Sequence, residues 1–145
     1  MKTIVRTITL ISLAAAVVLT SCGKYEDGPG ISLRSKKARL TGEWQLDEVE
    51  IDGTDFTADF NQWDWEFEDD EEFRYTVEVE GFLPFSPEGE WSFSNNKEEI
   101  ELTFNDGDRL ELEVQRLTNK EFWFHFTETY DDGSTERWEV KLEAK

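Results

Sequence analysis

The residues able to do chemistry in this chain are few and isolated. Cys22 is its one cysteine and His125 its one histidine. A zinc site draws on several clustered His, Cys or carboxylate ligands, and a nucleophilic triad needs a histidine beside its serine or cysteine. His125 stands among Phe122, Phe124 and Phe126 with no second histidine, and reads as a surface or interface residue. No Gly-x-Ser-x-Gly turn presents a serine for acyl transfer. With 34 Asp and Glu in 145 residues, any carboxylate pair at glycosidase spacing is uninformative. Asn105-Asp106-Gly107-Asp108 and Asp131-Asp132-Gly133 lack the ligand spacing of an EF-hand loop, and turn chemistry accounts for them. No catalytic residue, metal or cofactor is expected.

The elements around these residues are strands. From Gly42 onward apolar and polar residues alternate with a period of two. Trp44 and Leu46 give way to Val49 and Ile51, a slip in parity that predicts a bulge near Asp47-Glu48. Trp63, Trp65 and Phe67 alternate with acids; so do Phe73, Tyr75, Val77 and Val79 with polar residues. Trp91 and Phe93 follow, then Ile100, Leu102 and Phe104, then Leu110, Leu112 and Val114, then Phe122, Phe124 and Phe126, then Trp138, Val140 and Leu142. Turn signals lie between them, Asn105–Asp108 and Asp131–Ser134 being the strongest. Eight one-faced strands joined by tight turns form an antiparallel meander. Closing it buries the apolar face and removes both edges. The expected fold is all-β, an eight-stranded up-and-down barrel, with a two-sheet sandwich as the alternative.

Charge narrows the partners. The formal net charge is −19. Residues 22–40 carry Lys24, Arg34, Lys36, Lys37 and Arg39 against Glu26 and Asp27, so the acidity is concentrated after Leu40. Such a domain repels nucleic acid and anionic lipid. Arg34–Leu40 reads as a short helical turn whose basic residues meet either membrane phosphates or the acidic domain.

Residues 1–21 have the form of a secretory leader. Lys2 and Arg6 precede an apolar run from Ile8 to Leu19, too short for a spanning helix, which needs about 20 apolar residues. The run ends at Leu19-Thr20-Ser21-Cys22, which resembles the lipobox of bacterial lipoproteins. The resemblance implies cleavage before Cys22, thioether lipidation of its sulfur and acylation of its new amino group, with palmitate-type chains holding the protein on a membrane. It leaves 1–21 as signal peptide, 22–38 as lipidated cysteine and flexible tether, and 39–145 as the folded domain. Gly23, where an inner-membrane retention signal would have Asp, points to the outer membrane, on its periplasmic or surface face.

Gly42-Glu43-Trp44, after a short helical turn, resembles the Gly-x-Trp opening of lipocalin-type barrels. Gly89-Glu90-Trp91 repeats it, and an Ile100-Glu-Leu-Thr-Phe strand follows. With the lipobox, these motifs resemble the small lipocalin-like lipoproteins of Bacteroidetes-type bacteria, over about residues 39–143. The resemblance implies binding of a small apolar ligand, or service as an outer-membrane or surface interaction module with a filled barrel, and not an enzyme. It also implies that Trp44 plugs the barrel end nearest the tether under a basic side chain. Arg116 shares the parity of Leu110, Leu112 and Val114 and is the candidate, for a cation–π gain of about 0.5–2 kcal/mol; a plain exposed Arg116 is the alternative.

Loops alternate between the ends of such a barrel. Residues 52–62, 80–88, 105–108 and 130–134 share the end away from the tether, and the first two hold apolar residues that no strand explains. Phe56, Phe60, Phe82, Leu83 and Phe85 are therefore the expected ligand or partner rim, or else a cap folded onto the core. The leader generates its own test. Cys22→Ala is expected to leave an unprocessed chain that takes up no fatty-acid probe; continued labelling would sink the lipobox assignment.

Overall fold

The computed structural model describes residues 34–145; the leader, Cys22 and the first part of the tether lie outside the described residues. A short helix, α1 (Lys36–Leu40), is followed by β1 (Gly42–Ile51), a two-residue β2 (Thr54–Asp55), β3 (Phe60–Phe67), β4 (Glu72–Val79), β5 (Glu88–Ser94), β6 (Glu99–Phe104), β7 (Arg109–Leu117), β8 (Glu121–Thr129) and β9 (Thr135–Ala144). The strands follow one another around a single antiparallel sheet, and β9 pairs back onto β1. With β2 a mere hairpin extension of β1, the result is the expected closed eight-stranded barrel.

Closure follows from the alternation. The inward positions Trp44, Val49, Trp65, Phe67, Phe73, Trp91, Ile100, Leu102, Leu112, Phe122, Phe124, Val140 and Leu142 are all buried, while Glu and Lys fill most positions between them. An eight-stranded barrel is just wide enough for side chains to meet across it. Here they meet as rings: Trp44 lies edge-on to Phe122 at 5.8 Å, Phe67 edge-on to Phe122 at 5.9 Å and to Trp91 at 6.0 Å, and Trp65 edge-on to Phe124 at 5.6 Å. Edge-on pairs of this kind add about 0.5–1.5 kcal/mol each beyond burial.

The pleat is broken three times. Register shifts fall between Leu46 and Glu48 on β1, between Phe60 and Gln62 on β3, and between Val114 and Arg116 on β7. The first is the bulge expected from the parity slip. The third corrects the reading of Arg116. The extra residue there turns Leu117 into the core, 4% exposed, and puts Arg116 opposite Trp123 on the outer face. Arg116 lies 4.8 Å from the centre of the Trp123 ring and 2.9 Å from Glu121 Oε2, so it does not cover Trp44.

Instead α1 closes that end of the barrel. Ser35 caps it, its hydroxyl accepting from Ala38 N at 3.1 Å. Leu40 is fully buried, and its carbonyl accepts the Trp44 indole N–H at 2.8 Å. The basic residues of this segment reach the turns at the same end. Lys37 pairs with Glu71 at 3.0 Å, Lys36 donates to Lys97 O at 2.7 Å, Arg39 to Leu117 O at 3.0 Å, and Arg34 to Asn119 Oδ1 at 3.4 Å. Of the two meanings open for this basic run, contact with the acidic domain is the one adopted. Residues 36–38, expected as the last of the tether, are part of the plug.

Gly89 fixes the approach of β5 to β6. A Cβ built there would stand 2.1 Å from the Thr103 carbonyl oxygen and 2.8 Å from Phe104 Cα. Backbone cannot yield as a side-chain tip can. Gly89→Ala should therefore lower stability by about 1–3 kcal/mol, an overpacking cost, read as a fall in melting temperature. Trp44→Phe should cost a similar amount, about 1–3 kcal/mol, because it strands the buried Leu40 carbonyl. An unchanged melting temperature for either variant would refute the packing assigned to it.

Candidate functional site

The two ends of the barrel differ. The α1 end is solid with rings, and its indoles are satisfied: Trp44 donates to Leu40 O, and Trp91 donates to Glu68 O at 3.2 Å. The opposite end carries the long loops, and its inward residues are less covered. Tyr75, Val77, Val79, Phe104, Leu110 and Trp138 are half-buried there, while Trp63 and Phe126 are buried. Their rings form one wall. Phe60 stacks on Trp63 at 5.2 Å, Trp63 meets Trp138 edge-on at 6.1 Å, Trp138 stacks on Phe126 at 5.7 Å, and Tyr75 stacks on Trp65 at 4.3 Å.

The wall is open on one side. β1 pairs with β3 only from Gly42↔Phe67 to Gln45↔Asp64; beyond that, β1 continues with β9 and folds β2 onto itself. Between the parted strands lies a cleft of about 440 Å³, lined by Leu46, Phe60 and Trp63 with Gln45, Gln62 and Asp64. Lys145 stands at its edge, its ammonium 2.6 Å from Asp64 Oδ2. Since Leu46 and Trp63 are inward residues, the cleft runs from the outer face to the aromatic wall.

The expected rim divides in two. Phe60 belongs to the wall, and Phe56, half-buried, sits beside it with its N–H bonded to Val49 O at 3.0 Å. Phe82, Leu83 and Phe85 stay outside, 78%, 90% and 60% exposed. Their loop is tied to the barrel by paired backbone bonds between Val77 and Phe85, at 2.9 and 3.1 Å, which bring the Phe85 ring edge-on to Tyr75 at 6.5 Å.

Sequence reasoning missed the polar members of this end. Glu128 and Glu136 continue the inward parity of β8 and β9 and face each other directly across the two strands. The Tyr130 hydroxyl donates to Glu136 at 2.7 Å, and that bond, with the Glu128 carboxylate nearby, pushes the phenol up to about 12. Burial, reinforced by the Glu128 charge, pushes Tyr75 up to about 12 as well. Tyr75 on β4 and Glu128 on β8 are four strands apart either way round the barrel. Both hold inward positions of their strands.

His125, expected as a surface or interface residue, is largely covered within the described residues. It is 7% exposed on the face of β8 opposite Phe124, and Nε2 lies 2.9 Å from Glu113 Oε2. The acidic loops are turns: Asp106 Oδ1 accepts from Asp108 N and Asp132 Oδ1 from Ser134 N, with Gly107 and Gly133 at positive φ.

The Tyr75 environment sets a pH dependence. Its folded value, about 12, lies above the ordinary value of 10.0. Between the two the unfolded chain has lost the proton and the folded chain keeps it, so stability falls as pH rises from 10 toward 12. Denaturant unfolding across this range should show the fall, and Tyr75→Phe should lessen it, leaving the share of Tyr130, which is raised over the same range. An equally steep fall in the variant would remove Tyr75 from the account.

The barrel fold is shared with known proteins. A lipocalin-like protein from Bacteroides uniformis superposes with a TM-score of 0.52 at 15% identity, covering 74% of this chain and 99% of that one. An uncharacterized protein from Bacteroides eggerthii gives 0.50 at 15% identity, over 73% and 99%. A bovine odorant binding protein, a deswapped triple mutant, gives 0.50 at 11% identity, over 74% of each. The comparison with curated proteins gives no match. The family described as lipocalin-like domain matches residues 40–124, from the plug through the Phe-rich strand β8, and this chain belongs to that family.

Proposed function

We propose that the chain is a lipid-anchored lipoprotein of the bacterial envelope whose lipocalin-like barrel binds a small apolar ligand. The observation that carries the ligand reading is the cleft between β1 and β3, about 440 Å³, which leads to the rings of Phe60 and Trp63. The lipocalin-like barrel is a fold of small hydrophobic ligand binders, and the bovine relative in fold is named for binding odorants. Ligand sites are concave and combine apolar walls with placed polar groups; here Leu46, Phe60 and Trp63 are the apolar members of a lining that is otherwise polar, with Gln45, Thr57, Asn61, Gln62, Asp64 and Lys145. The anchor reading rests on the leader and on Leu19-Thr20-Ser21-Cys22. Acyl chains on Cys22 would hold the chain at the outer membrane.

A second reading has its own observation. Phe82 and Leu83 are 78% and 90% exposed, more than a ligand inside the barrel requires, and exposed apolar clusters mark contact sites. Under it, the loop meets another envelope protein.

The two readings predict different outcomes for fluorescent-probe binding. The full chain should enhance the emission of 1-aminoanthracene, and Phe60→Ser, which opens the wall, should weaken that binding by roughly tenfold, the effect of one well-buried aromatic contact. Phe82→Ser with Phe85→Ser should leave the melting temperature nearly unchanged. Loss of probe binding in this double variant would put the ligand under the loop; intact probe binding would leave the loop to a protein contact. No binding of any apolar probe by the unaltered chain would refute the ligand reading.

A further inference from the structure

The buried indoles of this barrel fall into two groups. At the plugged end Trp44 and Trp91 have carbonyl partners. The indole nitrogens of Trp63, Trp65 and Trp138 are buried and have no hydrogen-bond partner in the protein. These three are neighbours: Trp63 lies 5.9 Å from Trp65 and 6.1 Å from Trp138, ring centre to ring centre. Trp63 is 6% and Trp65 2% exposed. A buried N–H left unpaired carries its full desolvation cost, and native proteins rarely leave several together. Of the three, Trp63 lines the open cleft, whereas Trp65 is the register partner of Trp44; Arg39 Nε on α1 and His125 Nδ1 are likewise buried without a partner.

An indole only donates, so what satisfies it must accept. The charge around the lumen limits which acceptor that can be. Glu128 and Glu136 face each other at the mouth on inward positions, and no basic residue shares the inward face of β8 or β9 there. An anionic ligand would bring a third negative charge beside them.

Resting on the ligand reading above, we propose that the open half of the barrel takes an uncharged, mainly apolar molecule with a carbonyl-type oxygen, which accepts from the indole N–H groups of Trp63 and Trp138. The rings of Phe60, Phe126 and Tyr75 enclose its apolar part. Fatty acids and other apolar anions are rejected by Glu128 and Glu136.

Three probes of one size separate the terms: acetophenone, ethylbenzene and benzoate, titrated into the full chain labelled with ¹⁵N. The chain has six indole N–H signals, one for each Trp, assigned by single Trp→Phe variants. Acetophenone is expected to bind roughly tenfold more tightly than ethylbenzene, the gain from pairing a buried donor, and to move the Trp63 or Trp138 indole proton downfield. Trp63→Phe and Trp138→Phe keep a ring and remove the donor, so they should abolish the preference for the ketone while ethylbenzene still binds. Benzoate should bind at least tenfold more weakly than acetophenone, and Glu128→Gln with Glu136→Gln should recover it. Equal binding of ketone and hydrocarbon with unmoved indole signals would overturn the inference and leave the apolar-ligand reading standing. Benzoate binding as tightly as acetophenone would overturn the charge selection. Failure of all three probes to bind would overturn both the inference and the reading beneath it.

Discussion

The barrel depends on β1 serving two neighbours at once. Ten residues must close the sheet against β9 and also begin it against β3. β1 does both only at its start, where Trp44 faces Trp65 on one side and Ala144 on the other. The bulge between Leu46 and Glu48 then raises the local twist and carries the strand along β9 and away from β3. Val49 spends its backbone groups on the 52–60 segment instead, taking a bond from Phe56 N and giving one to Thr57 Oγ1. Closure at one end and an opening at the other are thus products of the same strand. The cleft is where the second partner of β1 has been given up.

This asymmetry organises the core. Where β1 is paired on both sides, the barrel is narrow, its rings interlock, and α1 lies across the bottom with every basic side chain fastened to a turn or strand end. These surface ion pairs contribute little individually; the buried Leu40 and its bond from Trp44 carry the plug. Where β1 is paired on one side only, inward residues become half-buried aromatics and carboxylates. A filled lower half and a polar-tipped aromatic upper half divide scaffold from site along the barrel axis, so substitutions at the open end can alter recognition without loosening the closed end.

Much of this was legible in the sequence because the alternation is strong. Eight strands, their order and the end at which each loop falls follow from apolar period and turn residues. The three bulges leave a common trace: inward residues three apart instead of two, Leu46 and Val49, Phe60 and Trp63, Val114 and Leu117. Only the first was read as a bulge. Reading the third would have put Leu117 inside and Arg116 outside, where it stacks on Trp123. Phe60 was placed on the rim for the same reason, since without the bulge at Asn61 it lies out of phase with Trp63. The inward carboxylates were hidden by abundance. Among 34 acidic residues, Glu128 and Glu136 are distinguished only by continuing the parity of Phe126 and Trp138 past the last apolar residue. The unpaired indoles leave no trace in sequence, because pairing depends on whether a carbonyl such as that of Leu40 happens to reach the ring.

The Glu128–Glu136 pair sets the charge of the mouth. Like charges directly opposite on adjacent strands are destabilising; on the outer face Glu66 opposes Arg74 and Glu48 is held by Lys141, while Glu72 opposes Glu90 and Glu101 opposes Glu111. At the mouth Glu128 opposes Glu136 in the same way, on inward positions. Tyr130 donates to Glu136, and Tyr75 meets the charge of Glu128 as a neutral phenol. A hydroxyl softens a carboxylate without cancelling it, so the lumen keeps a negative potential over an aromatic floor whose indoles still lack acceptors.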